Sequence, residues 1–407
     1  MLKELLHRRK FIFFIFTVGI GGSFQFGFNI SAINPPSEHI KNFINETWIE
    51  RHETPLQEYS LMLFWSFLVS VYPVGGLVGA QFAAALTLKY GRKKSLLCND
   101  VVAIVAALIM GFSKIARSFE MIVVGRFLYG INIALRRLWG PGDFTEEVED
   151  MLAERAQMQG TSKKNIVQLF RDKTIRCQLL TAMAVSTGMQ LSGINIIYFY
   201  ASDVYHQLGI SKENIPFVGI GSSGIEMLTS VMCGFIIERA GRKVLLWKGY
   251  CFMAFWILLL IITLSLKERF SWIPYCSLVF IFAYILTFGM GPGSVSGVLP
   301  LELFTQPNRC IALVAANSLQ WLSLFALGLV FPFIIEVLGP FSFILFVVSC
   351  FLASLFTFYV LPETKGKTLL QINEEFNNLR IARKGMWSIF RKRPAVPNQT
   401  ETLSTRA

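Results

Sequence analysis

The sequence predicts an all-α membrane protein whose chain crosses the bilayer about ten times. Of the 407 residues, 53% are hydrophobic and 16% are charged, with a mean hydropathy of +0.52, which is far too apolar for a soluble globular chain. Apolar segments recur along the chain, each long enough to cross roughly 30 Å of hydrocarbon as a helix. The basic residues behind the net charge of +12 lie in short clusters between these segments. They therefore favour a role in membrane orientation over nucleic-acid binding.

Ten apolar segments follow one another in order. They cover 11–33, 60–86, 96–113, 119–135, 178–202, 215–237, 244–266, 272–298, 311–335 and 341–361. The first follows the basic run HRRK, as the apolar part of a signal peptide would, but it continues into GGSFQFGFNISAIN without a convincing cleavage site. We therefore expect it to remain as a span, with cleavage as the alternative.

The basic clusters orient the chain. If the spans alternate, all of them fall on one side, which the positive-inside rule makes the cytosol, and they occupy 89–94, 136–137, 163–164, 171–176, 239–248 and 365–393. Both termini are then cytosolic, and we expect a multi-pass protein of the plasma membrane. The loop 34–57 lies outside, where Asn45-Glu46-Thr47 predicts a glycosylation site, whereas the match at Asn398 lies in the cytosolic tail and should be unused.

Cofactor motifs are weak. The seven cysteines lie in or beside spans and the four histidines are scattered singly, so we expect neither a disulfide framework nor a metal site. Gly219-x-Gly221-x-x-Gly224 matches a dinucleotide fingerprint but follows no predicted strand, and helix packing by small residues explains it better. We expect no cofactor.

Two similar Gly-Arg-Lys turns indicate an internal duplication. KYGRKKSLL follows the second span and ERAGRKVLL precedes the seventh; each has two spans before it within its half. Four spans follow the second turn, but only two follow the first before the polar stretch begins at 136. We therefore expect a four-span N-terminal half at 1–135, a cytosolic helical linker at 136–175, a six-helix half at 176–362 and a cytosolic tail at 363–407, with two helices missing from the first half.

Motifs along nearly the whole chain resemble those of the facilitative hexose transporters, the sugar-porter branch of the major facilitator superfamily. They are FQFGFN, GRKK, GRFLYG, QLSGIN, ERAGRK, GPG with ELF, WLS with GLVFPF, and PETKGKT. The resemblance implies a major facilitator fold with about ten of its usual twelve helices. It also implies uniport of a hexose such as glucose or fructose by alternating access, with lipid as the surrounding partner and no enzymatic activity. The family's stretch between helices four and seven is absent.

The candidate sugar site begins with two neutral amides. Gln190 and Asn195 flank Ser192-Gly193 inside an apolar segment; a glycine there loosens the helix, and amides both donate and accept hydrogen bonds to hydroxyls without a buried charge. Glu226 lies in mid-span, where an acid suggests function. The alternative for Gln190 and Asn195 is that they form polar contacts between helices and bind no substrate. The resemblance adds Gln320, Gln25 and Asn29 as substrate contacts and Tyr200 and Trp321 as an aromatic gate.

Several positions depart from the family pattern. Met189, Gly289, Gly297 and Leu324 replace a Gln, a Glu, a Trp and an Asn, so we expect a roomier, less polar pocket of the fructose or urate type. Asn29 stands where proton-coupled relatives carry an Asp, which favours uniport, although Glu226 leaves a proton role open.

The resemblance also implies ion pairs at the cytosolic face that break as the transporter changes state. The candidate gating residues are Arg92, Lys93, Arg126, Glu238, Arg242, Lys243, Glu302 and Arg309. The alternative is that the charged residues at this face serve only to orient the chain in the membrane by the positive-inside rule. Because the first half lacks its acidic partner segment, we expect this chain to transport poorly, and a non-transporting regulatory or inactive variant is the alternative function.

Overall fold

The structure is a computed structural model that describes residues 25–90, 92–138, 166–172, 175–211, 213–266, 269, 272–369 and 371–378. Helices and their connecting turns make up these segments, and no strand occurs within them. The long helices are rich in the apolar residues that the sequence places in spans, except for Ser37–His52, which is polar and lies in the loop predicted outside the membrane.

The N-terminal helices are α1 Gln25–Ser31, α2 Ser37–His52, α3 Glu58–Tyr90, α4 Arg92–Phe112 and α5 Glu120–Leu138. The first part of the first predicted span, 11–24, lies outside the described residues. The short helix α6, Ile166–Arg171, falls in the predicted linker. Leu169 of α6 is fully buried, so this part of the linker packs onto the helical body.

The C-terminal helices are α7 Arg176–Leu191, α8 Ile194–Phe199, α9 Ala201–Gln207, α10 Ile215–Ala240, α11 Arg242–Leu266, α12 Ile273–Met290, α13 Pro292–Leu303, α14 Gln306–Leu338 and α15 Ile344–Val360. The segment Gly339–Phe343 between α14 and α15 is a 3-10 turn.

Seven described segments are long and apolar enough to span a membrane. The last of them, Ile311–Val360, contains two predicted spans joined by the 3-10 turn. Helix α5 forms where the fourth span is predicted, but Arg126 and the arginines at its end lower its hydropathy. With 11–24 undescribed, these segments agree with about ten spans.

Close backbone contacts hold α3 against α5. A Cβ on Gly75 would lie 2.0 Å from the Phe127 carbonyl oxygen, and one on Gly130 would lie 2.0 Å from the Tyr72 carbonyl oxygen. Only glycine permits this approach, and small residues are the usual means of helix association in lipid. These contacts make α3 and α5 the centre of the N-terminal half.

The two halves meet where α3 packs against α14. At one end Tyr59 and Phe333 pack ring against ring, with centroids 5.5 Å apart. At the other end Gln81 donates a 2.6 Å hydrogen bond to Ser318. The two helices therefore stay together over most of their length.

Helix α10 is packed on one side only. In its most apolar window 17% of residues are buried, against 61% in the window Arg176–Phe199. Its exposed residues include Phe217, Met227, Val231 and Phe235. Lipid tolerates such a face, so α10 can insert although no described helix covers it.

Candidate functional site

The span formed by α7 and α8 is broken where the sequence predicts it. Helix α7 ends at Leu191, and Gly193 then adopts a left-handed conformation with φ of 89° before α8 begins. A Cβ on Gly193 would also lie 2.6 Å from the ring of Phe346. The Tyr284 hydroxyl donates a 2.7 Å hydrogen bond to the Ser192 carbonyl oxygen. The break is therefore a defined turn. The Ser192 carbonyl oxygen at this turn has a hydrogen-bond partner, as polar backbone groups inside a membrane require.

This turn brings the two predicted amides together. The Asn195 Nδ2 donates to the Gln190 Oε1 at 2.5 Å, and the residues are 8% and 2% exposed. Each amide keeps further donor and acceptor capacity. Gln320 is buried on α14, which packs against α7. The pair can present two polar edges to a ligand with hydroxyl groups.

Glu226 on α10 is half-buried. It lies beside the hydroxyl of Tyr198, which follows Asn195 by one turn of α8. That hydroxyl is buried and has no hydrogen-bond partner of ordinary geometry among the described residues. Sequence reasoning missed Tyr198; its position one turn after Asn195 was the available signal.

The structure separates two glycines that the sequence analysis groups together. A Cβ on Gly289 would lie 2.3 Å from the Thr229 Oγ1, so α10 fills the space expected there. A Cβ on Gly297 would meet nothing within 4 Å. A side chain at position 297 would therefore meet open space, whereas at Gly289 the close crossing of α12 and α10 leaves no extra room.

The predicted aromatic gate residues both pack between helices. The Tyr200 hydroxyl donates a 2.8 Å hydrogen bond to the Gly328 carbonyl oxygen of α14. Trp321 packs edge-on against Tyr72, with ring centroids 5.8 Å apart, and a Cβ on Gly76 would lie 2.5 Å from the indole ring. Trp321 therefore seals the contact between α3 and α14.

Arg126 is buried in α5 and is 2% exposed. Its Nη1 donates a 2.6 Å hydrogen bond to the Asn29 carbonyl oxygen, and its guanidinium lies 4.7 Å from the Tyr72 ring centroid. The Nε and Nη2 groups have no hydrogen-bond partner among the described residues. Arg126 therefore holds α1 to α5 through a backbone carbonyl and an aromatic face, and it pairs with no acid in the part of the chain that the structure describes.

An ion-pair cluster forms around Arg242, at the start of α11. Arg242 pairs with Glu238 and with Glu302, each at 2.8 Å, and the second carboxylate oxygen of Glu302 accepts a hydrogen bond from Thr364. This Arg242 cluster joins α10, α11, α13 and the segment after α15. Lys243 and Arg309 form no ion pair with another described residue. Lys243 lies over the Phe358 ring, and Arg309 donates to the Phe304 carbonyl oxygen.

Glu363 completes the cluster and was missed as a site residue. Its carboxylate accepts hydrogen bonds from the backbone N–H groups of Arg242 at 2.8 Å and Lys243 at 3.1 Å. These are the first N–H groups of α11, where an anion is favoured. Gly241, with φ of 86°, leaves room for this carboxylate, since a Cβ there would lie 2.6 Å from it. The acid in PETKGKT was the signal.

Helix α2 links the halves at the opposite end, which we name the α2 face. Arg51 forms a bidentate pair with Glu120, whose hydrogen bond raises the pKa of Arg51. Lys41 pairs with Asp203 of α9 at 3.5 Å. Because both pairs are partly exposed, each contributes little stability alone, but together they tie α2 to both halves.

Some predicted residues remain undecided. Asn45 lies within α2, where its side-chain oxygen accepts a hydrogen bond from the Leu56 N–H and Thr47 is buried; its glycosylation stays a prediction. The side chains of Gln25, Arg92 and Lys93, and all of Asn398, lie outside the described residues.

Comparison with known proteins supports one family. The profile of the family described as "Sugar (and other) transporter" matches residues 14–137 and 132–376. The human solute carrier family 2, facilitated glucose transporter member 11, is 34% identical over 483 aligned residues, covering 96% of this chain and 97% of the relative. Horse facilitated glucose transporter member 5 is 32% identical, covering 88% of this chain and 90% of the relative.

Solved structures agree on the fold. A D-xylose-proton symporter has a TM-score of 0.69 at 19% identity, over 88% of this chain and 100% of the neighbour. An inward-open xylose transporter from E. coli has a TM-score of 0.65 at 19% identity, over 90% and 99%. At such identity these structures show the major facilitator fold alone. Together with the family match, they show that this chain belongs to the sugar transporter family, whose multi-pass membrane proteins are transporters and not enzymes.

Proposed function

We propose that the candidate site of this protein serves facilitated transport of a hexose such as glucose or fructose by alternating access. The observation that carries the proposal is the hydrogen-bonded, buried amide pair Gln190 and Asn195 at the break of a membrane span. Amides bind neutral hydroxyls by donating and accepting, without the desolvation penalty of a charge. We assign Glu226, Gln320, Gln25 and Asn29 as further sugar contacts.

Uniport is favoured over proton coupling by the chemistry around Asn29. Arg126 binds the carbonyl oxygen of Asn29, and an amide side chain in this position cannot exchange a proton. Relatives named as facilitated glucose transporters support the same assignment. Glu226 is the acid beside the candidate site. The variant Glu226→Gln cannot ionise, so it distinguishes uniport from proton coupling.

We further propose that this chain lacks the segment of helices five and six and transports poorly. The family profile matches in two pieces that meet at 132–137, and the alignment to the human relative is 483 residues long for a chain of 407. The exposed side of α10 supports a missing neighbour. A surviving four-helix half cannot enclose a transport pathway in a fold built from two six-helix halves.

Uptake in transporter-deficient cells tests these proposals. The chain is compared with a chimaera that carries the corresponding segment of the human relative between Leu135 and Arg136, with radiolabelled glucose and fructose uptake normalised by surface biotinylation. We expect saturable uptake only from the chimaera, and loss of that uptake in its Gln190→Ala and Asn195→Ala variants.

The matched control is Asn214→Ala, at an exposed position before α10, which should leave uptake unchanged. Equal saturable uptake by the chain itself would contradict the proposed incapacity. Undiminished uptake in both amide variants would contradict the assigned sugar site.

A further inference from the structure

Arg126 carries a bidentate hydrogen-bonding edge in the interior of the N-terminal half. Its Nη1 group donates to the Asn29 carbonyl oxygen at 2.6 Å, whereas Nε and Nη2 have no hydrogen-bond partner among the described residues. In a guanidinium these two groups lie on the same edge and direct their N–H bonds to the same side, which suits one anion bound by both. We name this edge, Nε with Nη2, the Arg126 fork.

The charge of Arg126 meets no opposite charge within the described part of the chain. The residue is 2% exposed, a guanidinium stays protonated in proteins, and no described acid pairs with it. The guanidinium carbon lies over the Tyr72 ring, 4.7 Å from the ring centroid. Buried charges are normally paired, because the desolvation of a lone charge is costly. A negative occupant at the Arg126 fork would offset this cost.

Arg126 lies in the outer half of the membrane. It is about 9 Å along α5 from Glu120, the first residue of this helix. Glu120 pairs with Arg51 of α2, in the loop that the sequence predicts to lie outside. An ion from the outer side is therefore nearer to the fork than one from the cytosol.

The acids of the undescribed stretches nearest in sequence are predicted to lie on the other side of the membrane. In residues 1–24 the single acid is Glu4, and in residues 139–165 the acids lie between Asp143 and Glu154. The positive-inside rule places both positions in the cytosol. A soluble anion is therefore the best complement for the Arg126 fork.

The packing around Arg126 favours a small anion. A Cβ on Gly130, one turn further along α5, would lie 2.0 Å from the Tyr72 carbonyl oxygen, so α3 and α5 nearly touch there. Tyr72 and Tyr129 both lie within electrostatic range of the guanidinium, and a phenolic hydroxyl can donate a further hydrogen bond to an anion. A monovalent halide suits this crowded position better than a bulky organic acid.

We propose that the Arg126 fork binds chloride from the outer side of the membrane, with Nε and Nη2 as its two charged donors. The bound ion neutralises the guanidinium and stabilises the contact between α1 and α5. The site goes beyond the proposed hexose function and does not depend on it, since it includes neither Gln190 nor Asn195.

Thermal unfolding of the purified full chain in detergent tests the proposal, with sodium chloride titrated against sodium methanesulfonate at constant ionic strength. We expect a saturable rise in Tm of a few degrees with chloride, because a ligand that binds only the folded state stabilises it. Arg126→Gln should abolish this rise. Arg126→Lys keeps the charge but loses the bidentate edge, so it should weaken chloride affinity about tenfold. The matched control is Arg269→Gln, at an exposed position between α11 and α12, which should keep the full rise.

Anomalous X-ray scattering from crystals of the unaltered chain in sodium bromide gives a second readout that needs no variant. We expect an anomalous peak in contact with both Nε and Nη2 of Arg126. The absence of a peak at the fork, or equal Tm values in chloride and methanesulfonate, would overturn the proposal. A chloride effect that persists in Arg126→Gln would also overturn it, by placing the anion elsewhere. Glucose binding that depends on Gln190 tests the hexose site separately.

Discussion

Gly193→Ala should destabilise the protein more than alanine at any helical glycine in open space. Two effects add. A left-handed conformation costs a non-glycine residue roughly 1–2 kcal/mol, and here φ is 89°. The new Cβ would lie 2.6 Å from the Phe346 ring, and overpacking of a well-packed core costs typically about 1–3 kcal/mol. The expected total is about 2–5 kcal/mol.

The assay is thermal unfolding in detergent, followed by fluorescence-detected gel filtration. Because 1 kcal/mol moves Tm by about 2–4 °C in domains of 150–250 residues, a loss of several degrees is expected even in this larger chain. Gly219→Ala is the control, since nothing lies within 4 Å of its Cβ position in α10 and alanine favours helix by up to about 1 kcal/mol. Phe346→Ala in the Gly193→Ala background should remove the clash and leave the backbone strain. Equal Tm values for the Gly193 and Gly219 variants would refute the reasoning.

Three further predictions concern single side chains. Glu363→Gln should lower Tm more than the exposed control Glu374→Gln, because hydrogen bonds to a charged group contribute about 1.5–3 kcal/mol; equal Tm values would contradict the capping role. Asn45→Gln should abolish the glycosidase-sensitive shift in gel mobility, and a shift that survives the change would show that the topology is wrong. Glu226→Gln should retain more glucose binding than Glu226→Ala, because the amide keeps hydrogen bonding without charge, whereas equal loss would argue that ionisation matters.

Features that depend on local pattern could be predicted from the amino-acid sequence. Apolar segment length predicts the spans because each must satisfy its backbone internally in lipid. The sequence also predicts a break in the helix at Gly193, because glycine adopts non-helical conformations readily and polar amides lie on both sides of it. Gln190 and Asn195, five residues apart, meet because this local turn folds back. Within ERAGRK, Glu238 and Arg242 are close in sequence and form an ion pair across the turn at Gly241.

Contacts between groups that are distant in sequence became visible only in the packed helices. Glu363 lies 121 residues from Arg242, so the motif PETKGKT could mark the acid as a candidate but could not show that its carboxylate caps α11. The packing of Trp321 against Gly76 and the filling of the space at Gly289 by Thr229 follow from how closely helices cross, which is set by the shapes of both helices. Composition shows how a helix meets lipid, but the neighbour that a given face meets depends on the packing of the whole bundle.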